Sequence, residues 1–382
     1  MNSDRSNLRR TAGLGVAVGL LCGLALVVVA GTATLASSSA FSGIFYVSAA
    51  DATCSGHMPC YSNVQDAVDH AITGITILVA SGTYTDPDTS TAGAVVRIEK
   101  SIALQGGWNA MFTERNPAAY PTILDAQGAG RVVYIHHPTQ VILPVLDGFV
   151  IQGGSATGRA ECGYSPADCG GGIYSAGASP LIAGNVISGN VATTNDTRGL
   201  GGGVYLYSHF ASVTATLRAN VIRNNVAHQA AGSREGQGGG VFLYSMQDTL
   251  LDGNQILGNV AEEGGALYID GGSTIELANN DIIGNDALEG GGIYVEDASD
   301  LNLSSNAISD NAATGLYSFF TNDLSLVGNT FERNKRAAVS VSGSPLTVTG
   351  NLISENGKGL VIGSTPVLVE DNVISNNSGR GV

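Results

Sequence analysis

The stretch LIAGNVISGN, residues 181–190, contains the pattern that decides the fold. Two asparagines stand five residues apart, with one apolar residue three positions before the first asparagine and another two positions after it. The pattern returns as LRANVIRNN (217–225), LDGNQILGN (251–259), LANNDIIGN (277–285), LSSNAISDN (303–311), LVGNTFERN (326–334), VTGNLISEN (348–356) and VEDNVISNN (369–377). A second phrase of the form GG-x-[IVL]-Y follows most of the copies.

The spacing within and between these copies predicts a solenoid of short strands. Apolar residues alternate at a period of two, and Gly or Asn interrupts them every few residues, which excludes helices. One copy cannot bury its own apolar side chains, but stacked copies form a continuous core. The intervals between first asparagines fall to 21 residues, the length of one turn of a three-sided coil. We therefore predict an all-β, parallel β-helix whose asparagines occupy the corners, tolerate left-handed backbone and hydrogen-bond from coil to coil.

The remaining chain is predicted to extend this solenoid in both directions. Residues 41–150 hold irregular first coils and a short amphipathic helix within YSNVQDAVDHA (61–71), with Ser62 and Gln65 as its capping box. Such a helix covers the open first coil. Residues 151–382 hold the regular coils. They end without a cap, which predicts either a longer protein or end-to-end association of copies.

These features resemble the right-handed parallel β-helix, or pectate-lyase-like, superfamily, and above all its exported bacterial β-helix repeat proteins. The resemblance rests on YSNVQDAVDHA, ITILVASGTY and the two repeated phrases, and it covers residues 45–382. The [IF]-x-x-N and GGA[IL] motifs, at 331–334 and 264–267, are also similar to repeats of chlamydial polymorphic outer-membrane proteins. The resemblance implies a right-handed coil. It does not select one activity among the family's lyases, hydrolases, epimerases and adhesins, because a fold does not fix a function.

The N-terminus predicts export. Three arginines precede an uncharged apolar stretch that ends in small residues, which is the order of a secretory signal in residues 1–40. The stretch approaches the length of a membrane span, so residues 11–36 act either as a cleaved signal or as an uncleaved anchor. Export favours disulfides within two local pairs, Cys54 with Cys60 and Cys162 with Cys169. For the first pair, zinc bound together with His57 is the alternative.

The charge balance restricts the partners. The formal net charge is −15, and no cluster of Lys and Arg follows the N-terminus. A nucleic acid requires a basic stripe, so we predict that none is bound. Acidic polysaccharides would also be repelled unless a cation such as calcium bridged them.

One corner of the predicted coil carries the insertions and, beside it, a stripe of aromatic residues. The insertions are residues 155–169, 191–200, 226–237, 260–263 and 286–289. Insertions confined to one face of a solenoid often form its binding surface. Alternation places the neighbouring rings outside the coil, where they form either a platform for sugar rings or a ladder that stabilises the sheet. The stripe comprises Tyr174, Tyr205, Tyr207, Phe242, Tyr244, Tyr268, Tyr294 and Tyr317.

Acidic residues lie on the same face. Stacking places Asp270 and Glu296 one strand spacing apart, about 5 Å. That distance suits the paired carboxylates of retaining glycosidases, a calcium bridge, or two solvated acids. A further polar group in the insertions consists of His228, Arg234, Glu235, Glu262 and Glu263.

Two functions fit this sequence. The first is an exported surface protein that binds a polysaccharide or cell-surface glycan, or acts in adhesion, without catalysis. The second is a polysaccharide-active lyase, hydrolase or epimerase that uses acids on the insertion face. Convergence of Asp270, Glu296, Glu262 and Glu263 in one groove would favour the enzyme. Insertions that cover the aromatic stripe would argue against both functions.

Overall fold

The computed structural model describes residues 43–85, 93–159, 162–163, 166–210, 213–229, 236–363 and 366–381. The predicted signal or anchor in residues 1–40 lies outside these ranges, and so do Arg234 and Glu235. No helix within the described ranges is both long and apolar enough to cross a membrane.

Three long sheets form the sides of a solenoid, and all neighbouring strands in them pair in parallel. The first sheet has 13 strands in the described chain. In spatial order they are Cys60–Tyr61, Ile44–Val47, Thr76–Ala80, Ala103–Trp108, Val145–Asp147, Leu181–Ala183, Ala215–Arg218, Thr249–Asp252, Thr274–Ala278, Asp300–Ser304, Asp323–Val327, Leu346–Thr349 and Val367–Glu370.

The second and third sheets have 11 and 10 strands over the same ranges. Those of the second sheet are Gly82–Tyr84, Thr122–Asp125, Phe149–Gln152, Val186–Ser188, Val221–Arg223, Gln255–Leu257, Asp281–Ile283, Ala307–Ser309, Thr330–Glu332, Leu352–Ser354 and Val373–Ser375. Those of the third sheet are Ala94–Ile98, Arg131–His136, Ile173–Ala176, Val204–Tyr207, Val241–Tyr244, Leu267–Asp270, Ile293–Glu296, Leu316–Phe319, Ala337–Ser342 and Lys358–Gly363. The predicted all-β parallel β-helix is confirmed.

The core is the set of inward columns that the alternation predicts. Ile182, Leu217 and Leu251 stack in the first sheet, and Ile187, Ile222 and Ile256 stack in the second, all fully buried. Each coil contributes one or two aliphatic side chains per side. Burial of each such side chain stabilises the solenoid by about 1.5–3 kcal/mol.

Two buried asparagine ladders hold the corners on either side of the second sheet. In the first ladder, both the backbone N–H and the side-chain Nδ2 of Asn185 donate to Oδ1 of Asn220 in the next coil, at 3.0 and 3.1 Å. Nδ2 of Asn185 also donates to the carbonyl of Leu146 in the preceding coil. The second ladder begins at Asn190 and repeats this arrangement. The predicted coil-to-coil hydrogen bonding of the asparagines is confirmed.

The left-handed backbone lies one residue earlier than predicted. The residue before each ladder asparagine has positive φ, for example +52° at Ala219 and +63° at Gly253, whereas the asparagines Asn220 and Asn254 do not. The left-handed residue turns the chain outward, so the following asparagine can point inward to its ladder partner. Because Asn is able to perform either task, the sequence alone predicts both at the same residue.

Gly253 and Ala219 occupy the same left-handed corner position in successive coils, so substitutions at these two residues can be compared. A Cβ added at Gly253 meets nothing within 4 Å, so Gly253→Ala carries only the left-handed strain. We expect it to lower the free energy of unfolding by about 1 kcal/mol. Ala219 already carries that strain in the preceding coil, and Ala219→Gly should shift the denaturation midpoint the opposite way. Guanidinium titration of both variants tests this, and midpoint shifts of equal sign would contradict it.

A helix over Val64–His70 covers the first coil, as predicted, and buries Val64, Ala67 and Val68 in the core. Its cap differs from the prediction. Asn63, not Ser62, is the N-cap, and its side chain accepts from the backbone N–H of Gln65. The Gln65 side chain is used elsewhere, because its Oε1 accepts the backbone N–H of Arg97 in the third sheet. The capping box is therefore replaced by a tertiary contact.

Both predicted disulfides are present. Cys54 pairs with Cys60 and Cys162 pairs with Cys169, with Cα–Cα distances of 5.7 and 6.0 Å. The zinc alternative for Cys54 and Cys60 is wrong, because both sulfurs are bonded to each other.

The last coils end in exposed apolar strands. Val367, Leu368, Val369 and Val373 are all more than a third exposed. End-to-end association through this edge stays a prediction.

Within the described residues, the longer insertions contain short paired strands. Val191–Thr193 pairs with Val226–His228, and Ala167–Cys169, Arg198–Leu200 and Gly236–Gln237 form a second small sheet. Single β-bridges extend both small sheets into the next two coils. Val260 and Asp286 extend the first small sheet, and Glu263 and Glu289 extend the second. We call this part of the molecule the side layer. Its inner column is alanine, namely Ala156, Ala192, Ala227, Ala261, Ala287 and Ala313.

The two walls of the side layer are in close contact. A Cβ on Gly199 would lie 1.9 Å from the carbonyl oxygen of Ala227. A side chain at Gly199 would therefore collide with the opposite wall. The side layer therefore lies flat against the insertion corner, beside the third sheet.

Candidate functional site

The aromatic stripe is a continuous stack on the outer face of the third sheet. Neighbouring ring centroids are 4.9–5.6 Å apart, and the planes are within 23° of parallel. The rings belong to a cluster separate from the main core, as the alternation predicted. The stacked rings are Tyr134, Tyr174, Tyr205, Phe242, Tyr268, Tyr294 and Tyr317.

Most of these rings are buried, so the expectation of an exposed platform is wrong for them. Tyr174, Tyr205, Phe242, Tyr268 and Tyr294 are all less than a tenth exposed. The cause is the side layer, whose residues Ala167, Cys169 and Leu200 pack on the rings. The ladder interpretation fits these buried rings, and their coverage argues against sugar binding and against catalysis on this part of the stripe. Either function is restricted to the part that the side layer leaves open.

Ring exposure increases where the side layer becomes shorter. Tyr205 is fully buried, Tyr294 is 6% exposed, and Tyr317 is half-buried. Tyr207 and Tyr244 stack on each other at 5.0 Å in a second column and are also half-buried. A sugar-binding role for Tyr207, Tyr244 and Tyr317 stays a prediction.

An acidic cleft of about 480 Å³ opens where the side layer narrows to single bridges. The C-terminal ends of three strands of the third sheet form its floor, and the side layer forms one wall. We call it the acidic cleft. It is lined by Arg198, Gln237, Glu263, Tyr268, Asp270, Tyr294, Glu296, Asp297 and Phe319.

Hydrogen bonds fix two of its carboxylates. The hydroxyl of Tyr268 donates to Oε2 of Glu296 at 2.9 Å. The side-chain amide of Gln237, itself buried, donates to Oε2 of Glu263 at 2.7 Å. Asp270 faces Glu296 across paired strands, as predicted. The cleft thus holds carboxylates whose positions are set by neighbouring side chains.

The cleft changes the acidity of its groups. Burial, together with the charges of Glu296 and Asp297, raises the pKa of Asp270 to about 6. Burial and the charge of Glu296 also raise the pKa of the Tyr268 hydroxyl. Tyr268 therefore remains a hydrogen-bond donor at neutral pH, whereas Asp270 changes charge near neutrality.

The other predicted acids do not all reach this cleft. The structure places Glu263 in the acidic cleft, but Glu262 turns to the side layer, where its carboxylate accepts the backbone N–H of Gly236 at 2.6 Å. Burial raises the pKa of Glu262. His228 is buried in the side layer. Asp270, Glu296 and Glu263 thus line one cleft and Glu262 does not, because successive strand residues point to opposite sides.

Metal binding finds no support in the described residues. They contain no group of three or more His, Cys, Asp or Glu side chains arranged to hold an ion. In the described part of the chain, Asp270 and Glu296 are not joined by a third His, Cys, Asp or Glu in an arrangement that could hold an ion. The expectation of calcium at this pair is therefore not supported.

Comparison with known families decides the hand of the coil. Residues 264–382 match the family described as right handed beta helix region. The chain is a right-handed parallel β-helix. Residues 167–288 also match a family described as periplasmic copper-binding protein (NosD). No curated protein matches the chain. The periplasmic family and the two disulfides of the β-helix support its export.

Proposed function

We propose that this exported β-helix binds neutral or amino-sugar glycans in the acidic cleft. The observation that carries the proposal is the set of carboxylates at Glu263, Asp270 and Glu296, of which Glu263 and Glu296 are held by hydrogen bonds, beside the partly exposed ring of Phe319. Ionised carboxylates accept strong hydrogen bonds from hydroxyl groups. Small sets of oriented polar groups beside aromatic side chains are typical of ligand sites. Uronic acids would be repelled by this cleft.

A second candidate function is glycoside hydrolysis in the same cleft. The raised pKa of Asp270 favours it, because a carboxyl group with a pKa of about 6 can donate a proton near neutral pH. Glu296, held by Tyr268, would then be the second carboxylate. Hydrolysis by this pair needs a protonated Asp270, whereas the binding function needs the ionised form to accept hydrogen bonds.

The two functions predict opposite pH dependence. For binding alone, the affinity for neutral tetrasaccharides should rise as pH increases through about 6, since Asp270 becomes an ionised acceptor. Asp270→Asn should weaken binding about 10-fold at pH 7.5 and remove this pH dependence. Calorimetric titration at pH 5 and 7.5 measures both effects. If hydrolysis occurs, product should instead form faster as pH falls through 6.

A matched control separates the site from the general charge. Asp300→Asn makes the same change on the exposed face of the first sheet and should leave glycan affinity unaltered at both pH values. Equal weakening by both substitutions would contradict the acidic cleft as the binding site. A wild-type protein that binds no member of a panel of neutral and amino-sugar oligosaccharides would overturn the proposal.

The copper in the name of the matched family does not carry over to the described residues. Copper ions in proteins are bound mainly by thiolate, thioether and imidazole groups. Within the matched residues 167–288, Cys169 is in a disulfide, His228 and Met246 are buried, and His209 is exposed. The described residues hold no group of three or more His, Cys, Asp or Glu side chains arranged around an ion. These residues do not form a copper site, and we derive no reaction through the metal.

A further inference from the structure

A second cleft, of opposite charge, lies on the coils that follow the side layer. It measures about 460 Å³ and is lined by Lys335, Arg336, Ser340, Lys358 and Val361, among others. Lys335 and Arg336 precede the strand Ala337–Ser342, and Lys358 begins the next one. Lys358 pairs in register with Ala337, so stacking brings the three cations together. The sequence prediction that no basic cluster exists beyond the N-terminus is therefore wrong.

The positive charge of this basic cleft is not neutralised by neighbouring carboxylates. Arg333, just before it, binds Asp310 at 2.8 Å, and Arg115 binds Asp147 at 2.8 Å. Among the described residues, no ion pair involves the three cations of the basic cleft, and all three side chains are exposed. Although the net charge of the chain is −15, its described residues thus include a cluster of three cations that no carboxylate compensates.

The aromatic stack ends beside this cleft. One face of the Tyr317 ring is covered by Tyr294, at a centroid distance of 5.2 Å. In the next coil the paired position is Ser340, followed by Val361. A serine side chain is too short to cover an aromatic ring. Phe319 contacts the Tyr317 ring at right angles, at a centroid distance of 5.4 Å. The half-buried Tyr317 does not itself line the basic cleft, but Ser340, its partner in the register, does, so the last ring of the stack lies one coil from the edge of the cleft.

We infer that the basic cleft binds an anionic sugar residue, a pyranose that bears a carboxylate or sulfate group. Its ring would stack on Tyr317 above Ser340, and its anionic group would be bound by Arg336 and Lys358. Arginine binds such groups through paired hydrogen bonds, and lysine binds them as a point charge. This site is distinct from the acidic cleft. The basic cleft lies at the N-terminal ends of the strands of the third sheet, whereas the acidic cleft lies at their C-terminal ends.

A matched pair of probes tests the ligand class. A β-1,4-linked tetraglucuronate and cellotetraose differ only in their carboxylates. Calorimetry on the whole protein should show tetraglucuronate binding at least about 10-fold more tightly, with an affinity that falls as salt rises. Tetrasaccharide sulfate esters should bind in the same way. Equal affinity for the two tetrasaccharides, or binding of adenosine monophosphate in preference to both, would overturn the inference.

Substitutions then locate the site. Arg336→Gln and Lys358→Gln, both at exposed positions, should each weaken tetraglucuronate binding by about 5–10-fold. Ser340→Tyr should abolish binding, because the new ring extends the stack and covers Tyr317. Ser325→Tyr makes the same change on the outer face of the first sheet and should have no effect. Unchanged affinity in either charge variant would overturn the inference, even if Ser340→Tyr does not fold.

The test also separates this site from the acidic cleft. Asp270→Asn should leave tetraglucuronate affinity unchanged, and Lys358→Gln should leave binding of neutral glycans unchanged. Loss of both ligands in either variant would contradict two independent sites.

Discussion

Replacing Asn285 by alanine should lower the free energy of unfolding by about 4 kcal/mol, the largest effect that we expect from a single substitution in this solenoid. Asn285 is fully buried in the second ladder. Its Oδ1 accepts both the backbone N–H and Nδ2 of Asn259, at 2.9 and 3.0 Å. Its own Nδ2 donates to the carbonyl of Ile256 and to Asn311.

The cost arises mainly from the partners that remain. Alanine leaves the backbone N–H of Asn259 without an acceptor and removes one donor from the carbonyl of Ile256. Each unsatisfied buried group costs about 1–3 kcal/mol. The bonds between asparagines all run in one direction, since each ladder asparagine before the last coil donates its backbone N–H and Nδ2 to Oδ1 of the next asparagine. The loss is therefore expected to reach both neighbouring coils and not only its own.

The measurement combines denaturation with hydrogen exchange. The guanidinium midpoint should fall sharply for Asn285→Ala, and the amides of Asn259 and Asn311 should lose protection. Because a solenoid unfolds coil by coil, local exchange is the more direct readout. Asn302→Ala, on the exposed face of the first sheet, is the control and should change stability by less than about 0.5 kcal/mol. Comparable midpoint shifts in the two variants would contradict a structural role for the ladder.

The ladders and core columns could be predicted because they follow the shortest periods in the chain. The alternation of two fixes which side chains face inward, and the two asparagines recur at a constant separation of five residues. Neither signal depends on coil length. The left-handed residue lies one position before the predicted one. The sequence does not mark that position, because the residues there, such as Gly184, Ala219 and Asp371, share no side-chain property.

The side layer was missed as structure, although the sequence contained a signal for it. Alanine stands two residues after the second asparagine in five successive coils, from Ala192 to Ala313. This column shows that the insertions repeat and pack closely instead of forming loops. Variable coil lengths concealed the pattern, because insertions are usually interpreted as irregular.

The two clefts depend on register between coils of unequal length. Arg333, Lys335 and Arg336 lie within four residues, so this part of the basic cluster is visible in the sequence, whereas Lys358, 23 residues after Lys335, joins it only through the register. Glu262 and Glu263 are neighbours in sequence but point to opposite sides. Residues that are adjacent in sequence can therefore lie apart in space, and residues far apart in sequence can lie together. Only the strand pairing in the structure shows which residues do so.

Replacing Phe242 by alanine should lower the free energy of unfolding by about 3–4 kcal/mol, the second largest effect. Phe242 is fully buried in the middle of the aromatic stack. It stacks on Tyr205 at 5.4 Å and on Tyr268 at 5.0 Å. Alanine removes both ring contacts and leaves a cavity. The side layer cannot close that cavity, because its own walls are already in contact at Gly199 and Ala227.

The expected loss is specific to the covered part of the stack. Phe320→Ala, at a ring that is 62% exposed, should change stability by less than about 0.5 kcal/mol. Phe242→Leu should fold and recover about half of the loss, since leucine fills part of the cavity. Tyr268 is the next ring and holds Glu296, so the leucine variant should also weaken neutral-glycan binding in the acidic cleft. Denaturation and calorimetry on the three variants test this coupling. Full glycan affinity in a destabilised Phe242→Leu protein would show that the stack supports the fold without positioning the site.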